Sequence, residues 1–566
     1  MKAQRVALIL ALALGTGAAG AQQAGEQDAA AKVDAVFADL AKPDSPGCSV
    51  GVIRDGKLIY AKGYGQAVLE HGVPNTSKTV FDIGSVSKHF TAAAIVLLAQ
   101  QGKLSLDDEV RKYVPELPDY SAKYGGRKLT IRHLLHHTGG VRNYDTLMAL
   151  TATDFSGRTG DREAMDYIAR QKELNFAPGD DYLYSNSGYF LLSQVVKGAS
   201  GKTLRQFAAE NIFGPLGMTD TVFLDDTTMV VPRRAVGYDA KRGGGFVVEM
   251  SGFEQTGDGA VQTTVEDFLL WDRNFYDGKV LGAQGLEWMQ TPGVLNDGKK
   301  ITYAFGLVVS KHKGLPLVEH GGSWAGYRAQ YMRFPEQKFS VVCLCNLANA
   351  NPARRARRVA EAYLGDLMKD EAPKAAANAA PAQGNQKTDP AAWKPYVGMY
   401  RNAQQGSVFR VTLDADKLML RVGSQSLEIA PTSGAEFALV QDPSLRVRFE
   451  PAKAAGKYQL VRMNPEGTTT IYDAVEPFSP TAAQLKAFLG SYYSDEADIT
   501  YTVFEKEGKL QVRSGKWREL AMEPLFRDAF SFPMGQLIFA RDAAGRVTSF
   551  AVQAGRVRNI QFTRTR

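Results

Sequence analysis

A chain of 566 residues is too long for one hydrophobic core and predicts roughly two to four domains. With 44% hydrophobic and 22% charged residues, the composition is that of a globular protein and argues against disorder over most of the length. The formal net charge of +7 is scattered, so a nucleic-acid-binding face is not expected. The one dense basic run, Arg354 to Arg358, is short and lacks interleaved aromatic residues, so it is interpreted as a solvated helix face.

Residues 1–21 have the pattern of a secretory signal peptide. Lys2 and Arg5 give a positive start, Val6 to Leu14 form a short apolar run, and Ala19 to Ala21 form a small-residue cleavage site. We therefore expect an exported protein, periplasmic or secreted, whose mature chain begins near Gln22. No later stretch approaches the ~18 uninterrupted apolar residues of a membrane span, and no cysteine stands beside the cleavage site. Neither a transmembrane nor a lipid anchor is expected.

Residues 32–369 mix strand-like segments with amphipathic helices and predict the first folded domain. Ser49 to Ile53 and Leu58 to Tyr64 flank a polar turn and predict a hairpin. His89 to Gln101 predict an apolar helix closed by Gly102. Strand patterns return at residues 304–309, 317–320, 328–334 and 339–346. Strands at both ends with helices between them predict an α/β (α+β) domain in which helices flank an antiparallel sheet.

Three cysteines make an odd count for an oxidising compartment. Cys343 and Cys345 lie two apart in a strand-like run, so both side chains leave the same face, a separation that does not suit a bridge within one strand. A metal pair would need more ligands nearby. Cys48, Cys343 and Cys345 are therefore interpreted as buried core thiols.

Residues 371–390 contain almost no large apolar residue and predict a flexible linker. The rest of the chain contains an internal repeat, in which residues 396–400 return as 488–492 and residues 417–421 return as 509–513. Each copy carries short alternating runs broken by turns, and a unit of ~90 residues suits a small antiparallel barrel. We predict two such β-barrel domains, at 391–477 and 478–566.

Ser85 and Lys88 form a Ser-x-x-Lys motif at the start of the predicted apolar helix. The spacing places both side chains on one helix face, and the helix N-terminus supplies N–H groups and a positive field that stabilise an alkoxide or an oxyanion. Ser85 is therefore the candidate nucleophile. Ser310 and Lys313 repeat the spacing, but they fall in a polar segment between two strand-like runs and are assigned to a solvated hairpin tip.

Tyr184 is the candidate general base, together with Lys88. A phenol that accepts the serine proton needs a pKa below its usual value of about 10, and a neighbouring ammonium lowers it. Asn186 is able to accept a hydrogen bond from Lys88 and to donate one to a substrate amide. The alternative is a turn rich in Asn and Ser whose tyrosine belongs to the core.

The third candidate element is His320-Gly321-Gly322-Ser323, at the end of a strand-like run. An exposed edge strand there would pair with an extended substrate, and the N–H groups of Ser323 and Ser85 would form a two-donor oxyanion hole. The two glycines would let the substrate approach the backbone closely.

A second group of histidines, His133, His136 and His137, shares one face of a predicted helix. No carboxylate or cysteine with ligand spacing accompanies them, so no metal site is expected. His137-Thr138-Gly139 instead predicts the C-terminus of that helix, with Gly139 as its cap.

The three candidate elements, in this order, resemble the serine β-lactamase and penicillin-binding protein superfamily in its class C-like branch. The resemblance covers most of residues 32–369 and includes Phe81-Asp-Ile-Gly-Ser85-Val-Ser-Lys88, Tyr184-Ser-Asn186, residues 130–139 and residues 257–264. It implies a β-lactamase-like hydrolase with Ser85 as nucleophile, Lys88 and Tyr184 as the base pair, and Asn186 and His320 as substrate contacts. No cofactor is required.

One motif departs from that branch. Class C β-lactamases carry Lys-Thr-Gly where this chain has His320-Gly321-Gly322. Histidine titrates near ~6.5, so a substrate carboxylate loses a dependable counter-charge unless Arg328 or Arg333 replaces it. The histidine version, together with two lipocalin-like C-terminal barrels, resembles the D-aminopeptidases, which release an N-terminal D-residue from amides and short peptides.

We therefore expect a serine hydrolase of amides, peptides or esters, with D-amino-acid amides or peptides first among its substrates and peptidoglycan-derived peptides included. The alternatives are a D,D-carboxypeptidase or penicillin-binding protein, a β-lactamase, an esterase, or a catalytically silent peptidoglycan or ligand sensor. The barrels are expected to restrict the substrate as a lid, the alternative being a cell-wall anchor.

Overall fold

The computed structural model describes residues 28–565 except 154, 156, 370–389, 424, 442–444, 453–455, 464–468 and 516–517. The predicted signal peptide lies outside the described residues, as does all of the predicted linker except Pro390. The described chain divides into two compact units. The first unit contains the described residues of Met1–Gly140, Phe155–Met165 and Phe176–Glu371. The second unit contains those of Val141–Asp154, Asp166–Asn175 and Ala372–Arg566.

The α-helices follow one another along the whole chain. They are α1 (28–36), α2 (Lys88–Gln100), α3 (Ile131–Leu135), α4 (Tyr144–Leu150), α5 (Asp161–Ala169), α6 (Asn186–Ser200), α7 (Leu204–Ala208), α8 (Gly214–Leu216), α9 (Val265–Asp277), α10 (Gly282–Gln290), α11 (Pro352–Leu364) and α12 (Ala482–Leu485). None of the helices in the described part of the chain is long and apolar enough to cross a membrane.

The strands of the first unit form one main sheet and several small ones. They are β1 (Cys48–Arg54), β2 (Lys57–Tyr64), β3 (Gln66–Val68), β4 (Val73–Pro74), β5 (Phe81–Asp82), β6 (Val222–Phe223), β7 (Tyr238–Ala240), β8 (Phe246–Val248), β9 (Val261–Thr263), β10 (Val308–His312), β11 (Leu315–Trp324), β12 (Tyr327–Phe334) and β13 (Phe339–Cys345). The main sheet is antiparallel in the order β10-β11-β12-β13-β1-β2. β1 and β13 are buried along nearly their whole length, as their mostly apolar sequences predict. The prediction of a sheet built from both ends of the domain is confirmed.

α2 is the central helix of the first unit. Every residue from Lys88 to Leu98 is buried, and the helix packs against α6 and α10. From Ala92 to Ala99 its sequence is apolar on all sides, which is typical of a helix enclosed by the core. The residues just before it are therefore held by a rigid element.

The cysteine prediction is wrong for two of the three residues. Cys48 and Cys345 occupy directly paired positions of β1 and β13 and form a disulfide. The spacing argument considered neighbours within one strand, whereas the bridge joins adjacent antiparallel strands. Cys343 is a buried thiol as predicted, and burial raises its pKa to about 12.

The second unit contains both predicted barrels. Its strands are β14 (Gly398–Arg401), β15 (Val408–Asp414), β16 (Lys417–Val422), β17 (Gln425–Ser433), β18 (Glu436–Leu439), β19 (Arg446–Pro451), β20 (Tyr458–Met463), β21 (Thr469–Val475), β22 (Gly490–Ser494), β23 (Ile499–Lys506), β24 (Lys509–Ser514), β25 (Arg518–Ala521), β26 (Glu523–Pro524), β27 (Ala529–Phe532), β28 (Gly535–Arg541), β29 (Val547–Ala554) and β30 (Val557–Arg564). β14 to β21 close an eight-stranded barrel, and the order β25-β24-β23-β22-β30-β29-β28-β27-β26 gives a nearly closed barrel of nine strands.

The sequence repeat corresponds to a repeated contact. The Tyr400 hydroxyl donates to the Tyr396 carbonyl at 2.8 Å, and the Tyr492 hydroxyl donates to the Phe488 carbonyl at 2.9 Å. Both tyrosines are buried in the core of their barrel. The shared motif therefore joins the first strand of each barrel to the preceding turn by the same hydrogen bond.

Two segments that precede the barrels in the chain belong to the second unit. Leu147 and Leu150 of α4 are buried in the core of the nine-stranded barrel, where the Tyr501 hydroxyl donates to the Leu150 carbonyl at 2.6 Å. The buried Arg142 guanidinium lies 2.6 Å from a carboxylate oxygen of Glu496. This part of the predicted hydrolase domain therefore packs as part of the second barrel.

Candidate active site

Ser85 lies in a 3-10 turn, Gly84–Ser87, that leads directly into α2. Gly84 has a φ of 49°, and a Cβ there would lie 2.8 Å from the backbone nitrogen of Ser323, so the turn requires glycine. The Asp82 carboxylate accepts a hydrogen bond from the Gly84 N–H at 2.7 Å. Ser85 is half-buried while the helix behind it is buried, so its hydroxyl stands at the accessible end of a rigid element.

Lys88 is buried, and its ammonium has an acceptor for each of its three protons. It donates to Ser85 Oγ at 3.0 Å, to Asn186 Oδ1 at 2.9 Å and to the Asp258 carbonyl at 2.5 Å. A buried ammonium without such partners would be costly. Nζ also lies 4.9 Å from the centre of the Tyr184 ring. The structure thus brings Ser85, Lys88, Tyr184 and Asn186 together.

Tyr184 and Asn186 lie where a loop enters α6. Ser185 precedes the helix, and Asn186 is its first residue. The hydrogen bond that Asn186 accepts from Lys88 is the one the sequence predicts. The Tyr184 ring centre is 6.2 Å from that of His320. All three sequence elements therefore meet around the Tyr184 ring.

The third element lies on an unpaired strand edge. β10 pairs with β11 only between Leu315 and Glu319, so within the described chain the segment from His320 to Trp324 is paired only with β12. Gly321 points away from the face that carries His320 and Gly322, because side chains alternate along a strand. The predicted edge strand is therefore unpaired on this side in the described chain, and its pairing with an extended substrate stays a prediction.

The same strand makes a close contact with the nucleophile turn. A Cβ on Gly322 would lie 1.9 Å from the Ile83 carbonyl oxygen and 3.3 Å from the Ser85 nitrogen. Only glycine permits that approach. The backbone nitrogens of Ser85 and Ser323 therefore belong to two segments in direct contact, an arrangement that suits the predicted oxyanion hole.

The His320 ring is neutral. Burial and the nearby Lys88 ammonium lower the pKa of His320 to about 3. Nδ1 lies 2.7 Å from the Gly321 carbonyl, which only accepts, so Nδ1 carries the proton and Nε2 accepts from the Tyr303 hydroxyl at 2.9 Å. The expectation that His320 titrates near its solution value is wrong, because its side chain is only 6% exposed. No sequence signal pointed to Tyr303.

The two arginines considered as replacements for the missing lysine are engaged elsewhere. Arg333 is buried, lies 4.3 Å from the centre of the Phe275 ring and donates to Gln290. Arg328 donates to the backbone carbonyls of Ala325 and Tyr327, at 2.8 and 2.6 Å. Neither guanidinium takes the place of the lysine that class C β-lactamases carry.

His137 is a candidate functional residue that the sequence analysis missed. α3 ends at Leu135, and His137 itself adopts the left-handed conformation with a φ of 58°, so the prediction that Gly139 caps this helix is wrong. The His137 ring packs against Tyr184 with their centres 4.1 Å apart. A glycine that follows a helix is typical of a C-terminal cap, so the sequence pattern was interpreted as a helix end and no functional role was assigned to His137.

The other two histidines of that group have separate partners. His136 Nδ1 lies 3.0 Å from the Tyr303 carbonyl, and His133 lies 2.9 Å from the Thr130 hydroxyl at the start of α3. Burial lowers the pKa of His136 to about 4. The three rings thus serve three different contacts.

The second Ser-x-x-Lys motif and the basic run also have structural places. Ser310 lies within β10, so its assignment to the hairpin tip is wrong, since the turn begins only at Lys313. Arg355 on α11 forms a two-fold hydrogen bond with Asp39, at 2.8 and 2.7 Å. Arg357 lies 2.8 Å from Glu319. The basic run is therefore partly used in ion pairs within the first unit.

Comparison with known proteins agrees with this architecture. The family model described as Beta-lactamase matches residues 33–365. The D-aminopeptidase of Gluconobacter oxydans is 29% identical over 328 residues, which cover 58% of this chain and 61% of that protein. The chain thus matches less than two thirds of that relative's length. Penicillin-binding protein 4* of Bacillus subtilis is 29% identical over 423 residues, covering 71% of this chain and 89% of that protein.

A solved structure shows the same fold. The octameric penicillin-binding protein homologue from Pyrococcus abyssi superposes with a TM-score of 0.55 at 22% identity, covering 86% of this chain and 99% of that one. Because the family model covers more than half of its length, the chain belongs to the β-lactamase family, a family of serine hydrolases.

Proposed function

We propose that the chain hydrolyses D-amino-acid amides or short peptides through an acyl-enzyme on Ser85, in the manner of a D-aminopeptidase. The observation that carries the proposal is the Lys88 ammonium, which donates to both Ser85 Oγ and Asn186 Oδ1 and lies 4.9 Å from the Tyr184 ring. A serine, a lysine and a tyrosine so placed are a nucleophile with a route for its proton.

In this mechanism Tyr184 acts as a phenolate that the Lys88 ammonium stabilises. Ser85 Oγ attacks the substrate carbonyl carbon while the serine proton passes to the Tyr184 oxygen, which becomes a neutral phenol. The new C–O bond places a negative charge on the carbonyl oxygen, which accepts hydrogen bonds from the N–H groups of Ser85 and Ser323. When the tetrahedral intermediate collapses, the C–N bond breaks and the proton returns to the leaving amine. A water molecule then attacks the acyl group by the same route and releases Ser85.

The choice of an amine-bearing substrate rests on the charge at the third motif. A neutral His320 provides no positive charge to bind a carboxylate, and it does not repel a substrate α-ammonium. A lysine at this position would attract a substrate carboxylate and repel a substrate α-ammonium. Arg328 and Arg333 contact other groups, so they also support a site without a cation that replaces this lysine. The D-aminopeptidase of Gluconobacter oxydans is the relative that agrees with it.

The alternatives use the same nucleophile or none. A D,D-carboxypeptidase, a penicillin-binding protein or a β-lactamase acts on a substrate that carries a carboxylate, which the neutral His320 disfavours. Penicillin-binding protein 4* of Bacillus subtilis keeps this alternative open. An esterase would need the same acylation with an alcohol as leaving group. A silent sensor would bind without turnover, which the intact contacts of Lys88 disfavour.

Two measurements test the nucleophile and the ligand class. Intact-protein mass spectrometry after exposure to a fluorophosphonate should show one adduct on the parent and on Ser310→Ala, the matched control for the second Ser-x-x-Lys motif. Ser85→Ala should show none, and its turnover should fall by roughly 10⁴ or more. An adduct on Ser85→Ala at the parent rate would exclude Ser85. Penicillin should give little stable adduct.

A substrate panel tests the specificity. D-alanine amide should have a higher kcat/KM than L-alanine amide and than an N-acetylated D-alanyl-D-alanine, which has a carboxylate and no free amine. A preference for the acetylated dipeptide would assign the chain to the D,D-carboxypeptidases. Activity on p-nitrophenyl acetate alone would assign the chain to the esterases. A fluorophosphonate adduct without turnover of any substrate would assign it to the sensors.

We further propose that the protein is exported to the periplasm or secreted, and that peptidoglycan-derived peptides are among its substrates. The support is the sequence of residues 1–21, together with the substrate class above. N-terminal sequencing of the protein made in its own host should begin near Gln22. A mature chain that begins at Met1 would contradict export by a cleaved signal.

A further inference from the structure

We propose that His137 is a positioning residue that holds the Tyr184 phenol in place for proton transfer. The inference rests on the proposed function, in which Tyr184 carries the serine proton. It starts from the hydrogen bonds on either side of Tyr184. The Leu183 N–H donates to the His137 carbonyl at 3.0 Å, and the Ser185 N–H donates to His137 Nδ1 at 3.1 Å. One residue therefore holds the backbone both before and after the tyrosine.

The His137 ring fixes the tyrosine side chain as well. It packs on the Tyr184 ring at 4.1 Å between centres with an angle of 35° between the planes. The Tyr303 ring packs on His137 at 4.5 Å, so the imidazole has an aromatic neighbour besides the phenol. With His137 only 2% exposed, this packing leaves little freedom for the phenol to rotate away from Lys88.

The chemistry of the ring excludes His137 as a second general base. Nδ1 accepts from an N–H, so its lone pair is occupied and Nδ1 carries no proton. The lone pair that would take a proton is thus already bonded to the backbone of the loop. His137 contributes to the reaction through Tyr184 and does not touch the reacting atoms.

The backbone of His137 supports a specific role. Its φ of 58° is uncommon for a residue with a Cβ, although asparagine, aspartate and histidine adopt it more readily than other residues do. The next residue adds a further contact, because the Gly179 N–H donates to the Thr138 carbonyl at 2.8 Å. The loop before α6 is thus joined to this segment at three points.

A double-mutant cycle separates positioning from general support of the fold. The readout is the first-order rate constant for labelling of Ser85 at saturating fluorophosphonate, together with the concentration for half-maximal labelling. His137→Ala should lower the rate constant roughly tenfold or more while changing that concentration less than about threefold. In a Tyr184→Phe background the same substitution should change the rate constant by less than about threefold, because the group it positions is gone.

Two further variants complete the design. His137→Asn keeps an acceptor near Nδ1 and tolerates the left-handed backbone, so it should retain more activity than His137→Ala. If His137→Ala does not fold by circular dichroism, the cycle is measured with His137→Asn instead. His133→Ala is the control. His133 lies on α3 and contacts Thr130, so this variant should label at the parent rate.

The outcomes are distinct. Equal losses from His137→Ala in both backgrounds, with Tyr184→Phe itself slow, would overturn the positioning role and leave the proposed function standing. Labelling of Tyr184→Phe at the parent rate would remove Tyr184 from the proposed mechanism and the role of His137 with it. A loss confined to the background that has the phenol would establish the positioning role.

Discussion

Replacement of Arg142 by alanine should destabilise the second unit by about 3–5 kcal/mol, the usual cost of removing one partner from a buried ion pair. The Arg142 side chain is 0% exposed, and its Nη1 lies 2.6 Å from Glu496 Oε1, which is itself 3% exposed. The guanidinium also donates to the carbonyls of Arg558 and Asn559 at 2.9 and 3.0 Å. Truncation would leave the Glu496 carboxylate buried without its cation and would remove donors from two backbone acceptors.

The expected change is large enough to measure. For a domain of about 150–250 residues, each kcal/mol shifts Tm by about 2–4 °C, so the transition of the second unit should fall by roughly 6–20 °C. Differential scanning calorimetry follows that transition separately from any other. Arg170→Ala is the matched control, because Arg170 lies 3.1 Å from Asp498 with side chains that are 35% and 60% exposed, and ion pairs in contact with solvent contribute about 1 kcal/mol or less.

The cause of the loss can be tested separately. The double substitution Arg142→Met with Glu496→Leu removes both charges, so it should recover a large part of the stability that Arg142→Ala loses. Equal Tm shifts for Arg142→Ala and Arg170→Ala would refute the reasoning. That result would mean that the buried pair does not hold α4 and its neighbouring segment on the barrel.

The remaining predictions concern the site, the sheet and the barrels. Tyr184→Phe should slow acylation by roughly 10² while KM stays close to the parent value, and normal single-turnover acylation would return Tyr184 to a core role. Because the pKa of His320 is lowered to about 3 in the folded state, its contribution to stability is present above the unfolded pKa and is lost as the pH falls below ~6.5. In urea unfolding, His320→Gln should therefore reduce the stability difference between pH 7 and pH 5 by about 2 kcal/mol, and an unchanged difference would contradict a buried neutral ring. Cys48→Ala combined with Cys345→Ala should lower the free energy of unfolding by about 2–4 kcal/mol, while addition of a reductant should no longer change it. A chain that ends at Lys369, once shown to be folded, should keep Ser85 reactive toward small activated esters but change the ratios of kcat/KM among larger substrates, and unchanged ratios would favour an anchoring role for the barrels.

Local patterns in the sequence were sufficient for several parts of the site. The spacing of Ser85 and Lys88 predicts their contact because residues three apart share a helix face, and the contact survives although Ser85 lies in a 3-10 turn. The glycines at 321 and 322 were predicted to let a substrate approach the backbone, which stays a prediction, whereas the close approach seen at Gly322 is to the backbone of Ile83 and Ser85. The two repeated segments likewise predict two barrels, because each copy carries the alternation of a half-buried strand.

Other parts depend on contacts that no local pattern contains. The disulfide needs the register of β1 against β13, which is set by the packing of the whole sheet. The neutral state of His320 needs its burial and its bond to Tyr303, and neither can be inferred from a motif. The role proposed for His137 was not found from the sequence, because the glycines after it are the more usual signal for the end of a helix. The attachment of α4 to the second barrel crosses the predicted domain boundary.

The pairing of β1 with β13 has a consequence for folding during synthesis on the ribosome. β1 can form its hairpin with β2 at once, but its other neighbour contains Cys345, which lies 297 residues after Cys48. A chain that emerges from the ribosome N-terminus first therefore exposes one apolar edge of that hairpin until most of the first unit has been made. The pairing of β1 with β13 can form only after the helices between them have been synthesised, so this edge is unprotected during most of the synthesis of the first unit.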